Sequence, residues 1–482
     1  MKKELIAAAV LGFGSSVLFG GAAVDAMTTD PNVLMTSLKA QQRYPWNGKV
    51  DIDFSFTCDI PEAFTFVNFK ASYEDKNGNT VEVPMKTFEQ FTTAFCTNAG
   101  TYRVTWDSTA DAPNLLVTNL KYSVTANMAK YMVIDLSKGL NATAEDPYPI
   151  TYMEECPDPT RDDGGWTDEY KTTKMVFRLI QPNTYVRGWG NNSFGDYHDC
   201  YNGSQKLTRP FYMAIFECTQ GQVKRIYSGY ASNWYVSNGY QYTGGTRAEA
   251  RPVIYFSYNT WRGVSTTYCW PNHAGKVALN SVIGELRTRT GQGDFEGFDL
   301  PTEAEWECAA RAGDTGAWHG DGLTYTDKPT KGEYSATSTP SNTLLNTLGR
   351  YRYNGGYAPG GTSAPPMTSD ETLGVAVVGS YKPNAWGLYD VLGNVSEYCL
   401  DYYQSATPYT VTHDVDDMGR EVPDPATAVS RVTRGGGFSN DAKVASLVNR
   451  QGLSATASEG YVNRGVRLCW HFPYAPKVPA QE

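Results

Sequence analysis

Residues Val50 to Thr57 (VDIDFSFT) alternate apolar and polar side chains with period two. That period puts one set on a buried face and the other in water, so it predicts a half-buried strand. The run Phe64 to Tyr73 leads through Lys76-Asn77-Gly78-Asn79 into Thr80-Val81-Glu82-Val83, and Asn-Gly between apolar runs is a hairpin signal. Thr101 to Trp106 and Leu120 to Thr125 continue the pattern at the spacing of antiparallel sandwiches. An immunoglobulin-like or fibronectin-like β-sandwich is predicted over 27–135. No catalytic cluster stands out in it, so a spacer or docking role is expected.

The pattern changes on either side of that region. Ahead of it, Lys2 and Lys3 precede an apolar, small-residue stretch from Leu5 to Phe19 that ends near Val24-Asp25-Ala26, which reads as a cleaved secretory signal over 1–26. The stretch is interrupted by Gly12, Gly14, Ser15 and Ser16 and falls short of the ~20 residues of a membrane span. No later segment reads as a span, so export to the periplasm, cell surface or extracellular space is expected. Behind the region, residues 136–174 turn to Asn, Asp, Pro, Gly and Thr, including CPDPTRDDGG, and are predicted to be a linker with 160–165 as its most flexible part. A second domain is expected over 175–474, rich in ordered loops, with a short tail over 475–482.

Inside the second domain the string LPTEAEWECAARAG defines a helix. Thr302 is the predicted N-cap and Glu305, three positions on, completes a capping box. Ala304, Cys308 and Arg311 then share one face, and Gly313 supplies the stop.

Composition narrows the chemistry. Hydrophobic residues at 41% and charged residues at 19% are globular values, so a packed core is expected rather than disorder. A net charge of −10 without a basic run leaves nothing to grip a phosphate backbone, and nucleic acid is not an expected partner. The cysteines (Cys58, Cys96, Cys156, Cys200, Cys218, Cys269, Cys308, Cys399, Cys469) include no C-x-x-C pair, which argues against zinc or iron–sulfur ligation. In an oxidising compartment some should pair, and Cys58 with Cys96 is the pairing expected in the sandwich. The histidines (His198, His273, His319, His413, His471) are equally scattered and form no metal-binding spacing.

The string GFDLPTEAEWECAARAG (Gly297 to Gly313) closely resembles a signature of the formylglycine-generating enzyme, or sulfatase-modifying factor, family. The resemblance continues in order through FYMAIFECTQGQ (Phe211 to Gln222), VGSYKPNAWGLYDVLGNVSEY (Val378 to Tyr398), RVTRGGGF (Arg431 to Phe438) and NRGVRLCW (Asn463 to Trp470). It implies an α+β fold, the C-type-lectin-like formylglycine-generating-enzyme architecture, with little regular structure.

In catalytic members, two cysteines five positions apart just after an RGGS turn bind copper and oxidise a substrate cysteine. Soft sulfur ligands select Cu(I), and neither an amide nor a methyl group replaces them. Aligning Arg434-Gly435-Gly436-Gly437 with that turn puts Asn440 and Ala445 at the two positions, and no cysteine lies between Cys399 and Cys469. Gly437 also replaces the serine of the turn, and Ser396-Glu397-Tyr398 replaces the Trp-Glu-Trp usual in active relatives. Copper is therefore not expected. The family's ergothioneine-type branch, with its histidine-rich iron site, is not matched either.

Calcium is the metal the resemblance leaves standing. The GLYDVLGNVSE stretch offers the carboxylates of Asp390 and Glu397 and the backbone carbonyls of Gly393 and Val395, an all-oxygen set of the kind Ca²⁺ prefers. Asp370 is a candidate for the family's second calcium site, and Cys269 to Cys469 for its cross-link. Asn394-Val395-Ser396 also reads as a glycosylation sequon, discounted because it lies inside this motif.

Three functions are compatible with these features. The first is a non-catalytic, calcium-stabilised binding module, a pseudoenzyme facing an extracellular protein or glycan, to which Tyr and Asn richness is suited. The second is a formylglycine-generating oxidase or related redox enzyme acting on sulfatases. The third is a C-type-lectin-like variable display protein whose changing loops would fall between Gly435 and Arg467.

Overall fold

The structure, a computed structural model, describes residues 30–43, 47–60, 63–89, 95–115, 117, 120–188, 202–238, 241, 247–264, 276–292, 297–316, 318–319, 345–356, 372–403, 414–415, 430–442, 444–454 and 462–472. The expected signal and tail, Asp370, Cys200 and Cys269 lie outside them. The chain divides into two compact units at Lys130/Tyr131.

The first unit is built from seven strands: β1 (Val33–Gln42), β2 (Lys49–Cys58), β3 (Thr65–Glu74), β4 (Thr80–Val83), β5 (Phe95–Thr97), β6 (Gly100–Asp107) and β7 (Lys121–Met128). They form two antiparallel sheets, β1-β2-β6 and a second in which β4, β5 and β7 all pair with β3. The period-two pattern is what places Val50, Ile52, Phe54 and Phe56 inside while Asp51, Asp53 and Ser55 stay half-exposed. Phe54 of one sheet meets Phe69 of the other edge-to-face at 5.4 Å, so aromatic contact joins the two layers. In the hairpin, Asp75 Oδ1 accepts from the amides of Asn77 and Asn79 while Gly78 takes φ +82°. Cys58 and Cys96 are both free, half-buried thiols. Cys58 ends β2 and Cys96 lies on β5 of the other sheet, which corrects the expected disulfide.

The second unit starts earlier than the composition suggested. Its strands are β8 (Tyr131–Asp135), β9 (Ile150–Met153), β10 (Lys174–Ile180), β11 (Asn183–Gly188), β12 (Asn202–Leu207), β13 (Phe211–Ala214), β14 (Gly297–Asp299), β15 (Ser396–Tyr402), β16 (Asp414–Val415), β17 (Ser430–Arg434), β18 (Arg450–Ser454), β19 (Arg464–Gly465) and β20 (Cys469–His471). Residues 136–174 are not a linker. β9 pairs with β8, Leu136 donates to Thr173 O, and Leu136, Tyr148 and Trp166 are buried. The Asp and Gly richness of 158–165 serves a closed turn, in which Asp158 N bonds Gly164 O and Gly164 N bonds Arg161 O.

A six-stranded antiparallel sheet, β14-β20-β13-β10-β8-β9, carries this unit. Its central β10 (KMVFRLI) buries apolar side chains on both faces, Met175, Phe177 and Leu179 on one and Val176 and Ile180 on the other. Beside it stand a four-stranded sheet, β18-β17-β15-β19, and a small one, β11-β12-β16. With only short helices between them the architecture is α+β, as the motifs implied. No helix among the described residues is long and apolar enough to cross a membrane.

The predicted helix runs Glu303–Arg311. Thr302 Oγ1 accepts from Glu305 N at 3.2 Å and Glu305 Oε2 accepts from Thr302 N at 2.8 Å, the capping box. The chain leaves the helix through two left-handed residues, Ala312 (φ +49°) and Gly313 (φ +91°). The helix differs from expectation in being buried on every side, Glu303, Glu307 and Arg311 included. Its cap is therefore worth more than a surface cap. Thr302→Ala should lower the unfolding free energy of the second unit by about 1–2 kcal/mol, read as a shift in the urea midpoint followed by tryptophan fluorescence.

Candidate functional site

Charges on a buried helix need partners, because an unpaired ion in the interior costs several kcal/mol. Glu303 takes Arg450 through both oxygens at 2.8 and 2.9 Å and Arg187 at 2.9 Å. Glu307 takes Arg434 at 2.5 Å and Arg311 at 2.7 Å and accepts from Gly188 N at 2.7 Å. Burial opposes ionisation of both carboxyls, yet the arginines win: Arg450, Arg187 and Arg434 hold Glu303 at about 2, and Arg434 and Arg311 keep Glu307 below its ordinary value. Asp401 of β15 accepts from Glu303 N at 2.6 Å; burial, then the neighbouring Glu303 charge, pushes it up to about 7.

Arg434 is the residue that enters the glycine turn. Gly435 and Gly436 have φ of +82° and +65°, and a Cβ on Gly436 would stand 2.8 Å from Ala445 Cα, so the backbone folds onto itself there. Asn440 and Ala445 both lie at this turn, Asn440 bonded to Gly437 and Ala445 packed against Gly436. Asn440 Oδ1 accepts from Gly437 N at 2.8 Å and from Asn463 Nδ2 at 3.3 Å, and its carbonyl accepts from Arg352 N at 2.9 Å. Ala445 is buried among core side chains, with its carbonyl taken by Trp318 Nε1 at 3.1 Å. The amide fastens the turn and the methyl fills the core.

The four residues of the calcium motif occupy the next turn, where Asp390 and Asn394 are left-handed (φ +57° and +56°). Glu397 is engaged through both oxygens: Arg467 holds it at 2.8 to 3.2 Å and Trp306 Nε1 donates to it at 2.5 Å. Gly393 N donates to Gly435 O at 2.9 Å, tying the two turns together. Val395 N donates to Glu217 Oε1 at 3.0 Å, and Asn394 Nδ2 donates to Glu217 Oε2 at 2.6 Å while its Oδ1 accepts from Ala376 N. Asn394 is fully buried with both ends of its amide bonded, so the sequon is closed to a glycan in the folded chain.

Three buried carboxyls, Glu217, Asp390 and Glu397, thus share one buried guanidinium, Arg467, and the buried Lys171 ammonium adds positive charge on Asp390 alone. Burial, then the charges of Asp390 and Glu397, drives Glu217 well above its ordinary value, and burial pushes Asp390 up to about 6. Asp390 Oδ2 accepts from Gly379 N at 2.6 Å, whereas its buried Oδ1 has no hydrogen-bond partner. An orphaned carboxylate oxygen in an interior short of positive charge fits a hard cation. Glu397 fits less well, since a cation must share it with Arg467. Among the described residues no three His, Cys, Asp or Glu side chains converge as a metal site. A cation here would therefore rely on Asp390 with backbone oxygens, those of Gly393 and Val395 being the motif's own.

The described thiols of this unit, the half-buried Cys156 among them, are all free. Cys218, Cys308, Cys399 and Cys469 are free and buried, and burial drives the Cys399 and Cys469 thiols well above their ordinary value, away from the thiolate that binds metal. The expected partner of Cys469, Cys269, lies outside the described residues. Sequence reasoning missed Glu217, Trp306 and Arg467, although each sits inside a quoted motif. A charged residue embedded in an apolar string such as FYMAIFECT was the available signal.

Comparison with known proteins agrees with these motifs. Residues 179–472 match the sulfatase-modifying factor enzyme 1-like domain. A formylglycine-generating enzyme from Streptomyces coelicolor is 36% identical over 174 residues, 35% of this chain and 43% of that protein. One from Thermomonospora curvata is 34% identical over 147 residues, 30% of this chain and 39% of the other. The matched stretch is thus less than half the length of either enzyme. Among solved structures, Treponema denticola variable protein 1 aligns at 20% identity and a TM-score of 0.40, covering 62% of this chain and 96% of that one.

Two substitutions test the electrostatics. Glu307→Gln leaves two buried arginines short of an anion and should cost the second unit about 3–5 kcal/mol in urea unfolding. For Asp390, whose folded pKa of about 6 exceeds its ordinary 3.8, the stabilising contribution is complete below that ordinary value and lost as pH rises through 6. In metal-free buffer, wild type should therefore lose stability relative to Asp390→Asn by on the order of 2 kcal/mol between about pH 4 and 6.5, and a flat difference would rule this out.

Proposed function

The chain belongs to the sulfatase-modifying factor family, and from that premise we propose that it is an exported, non-catalytic member acting as a calcium-stabilised binding module for an extracellular protein or glycan. One observation carries the proposal. Where the family's oxidase chemistry needs two thiolates, this turn has the amide of Asn440 and the methyl of Ala445, both already used to hold the turn and fill the core. Removing either would weaken the scaffold rather than restore a reaction centre. The resemblance to enzymes supports the scaffold, not the chemistry.

The face left by the turn suits recognition. Ser439, Asn440 and Asp441 are half-buried at its tip, with Arg352 3.7 Å from Asp441 and Tyr353 stacked edge-to-face on Tyr351 at 6.3 Å. A short row of hydroxyl, carboxylate and aromatic groups on a turn pinned by Asn440 presents varied hydrogen bonding at little entropic cost. Calcium held by Asp390 would supply the positive charge that the Glu217, Asp390 and Glu397 cluster lacks and fix the turn that Gly393 ties to Gly435. The first unit, with its own pair of sheets and core, fits a sandwich module that spaces or docks the second.

The decisive assay incubates the purified chain with Cys-x-Pro-x-Arg peptides, Cu(I) and oxygen. No aldehyde should form, and turnover above a copper-only control sinks the proposal. In parallel, added calcium should raise the melting temperature of the wild-type protein but leave Asp390→Asn unmoved.

A further inference from the structure

Arg431 of β17 is fully buried and pairs with no carboxylate among the described residues. Its guanidinium lies between two tyrosine rings, with Cζ 3.6 Å from the centroid of Tyr402 and 4.6 Å from that of Tyr258. Nη1 donates to Leu400 O at 2.7 Å. The opposite edge, Nε with Nη2, is buried and makes no hydrogen bond, and neither does the hydroxyl of the fully buried Tyr258. Ring faces stabilise the charge, but they accept none of these N–H and O–H donors, and leaving such donors unmet in the interior costs several kcal/mol in sum.

The shape of the deficit specifies what is missing. Nε and Nη2 form the two-pronged edge by which arginine grips a planar carboxylate, and the Tyr258 ring that carries the other unmet donor has its centroid 4.6 Å from the same guanidinium. Every unmet group is a donor or can act as one, so the absent partner is an acceptor with two or three oxygen lone-pair sites. The surrounding charge agrees. Asp299, the acidic neighbour of Tyr258, is bound by Arg262 at 2.9 Å and Arg287 at 3.3 Å and has no capacity to spare for Arg431. Complete burial of both side chains limits the occupant to a few atoms.

We infer that the Nε–Nη2 edge of Arg431, clamped by Tyr258 and Tyr402, is a buried binding site for a small free carboxylate of formate or acetate size. The site is separate from the acidic turn: along β15, Glu397 and Asp401 meet the 303–311 helix, while Tyr398 and Tyr402 meet Tyr258 and Arg431.

The test titrates the full chain with sodium formate and sodium acetate against sodium chloride at equal ionic strength, reading the melting temperature and the line width of ¹³C-formate. Wild type should show saturable binding beyond the chloride control. Tyr258→Phe, which removes only a hydroxyl that bonds nothing in the protein, should fold normally and bind roughly tenfold more weakly, the loss of one hydrogen bond to a charged acceptor. Arg431→Gln should abolish binding. Absence of a saturable response in wild type, or an unchanged dissociation constant in Tyr258→Phe, overturns the site and leaves water as the partner of the edge.

Discussion

The second unit depends on a helix that has no solvent-facing side. Glu303 and Glu307 enter the interior only because Arg187, Arg311, Arg434 and Arg450 meet them there, and each of those arginines comes from a different part of the chain. Such a network adds little net stability over a hydrophobic filling. What it does is exclude alternatives, since a shift in helix register by even one residue would strand several charges at once. Arg434 passes this constraint to the glycine turn, so the turn's position is set by ion pairing behind it rather than by contacts at its tip.

Strand β15 divides the interior into two chemical halves. Alternation along SEYCLDY sends Glu397, Cys399 and Asp401 toward the helix and Tyr398 and Tyr402 toward the Tyr258–Arg262 helix, although all seven residues are buried. On one side carboxyls outnumber the local guanidinium around Glu217; on the other a guanidinium stands between aromatic faces. One strand thus separates a region wanting a cation from a region wanting an anion, and the strand between keeps the two from neutralising each other.

Much of this was legible in the residues. The strands of the first unit follow from period-two alternation and the helix from its capping box. The extent of the second unit was not. Its first strands and the 158–165 turn carry the Asn, Asp, Pro and Gly of a linker, because closed turns and flexible chain draw on the same residues. Nor did helical periodicity reveal burial on all sides, since ion pairs let Glu and Arg lie where the pattern reserves places for Leu and Val. The expected Cys58–Cys96 disulfide failed for a related reason: shared membership of one unit does not bring two Cβ atoms to bonding distance.

The buried cysteines have a practical consequence. Cys218, Cys308, Cys399 and Cys469 are shut away with their thiols held protonated by burial, so alkylating reagents and cellular oxidants meet unreactive sulfur while the fold is closed. Protection of this kind begins only once packing is complete. The order of events follows: these sulfurs stay open to an oxidant until they disappear into the core, and their reactivity keeps a chemical record of every opening afterwards.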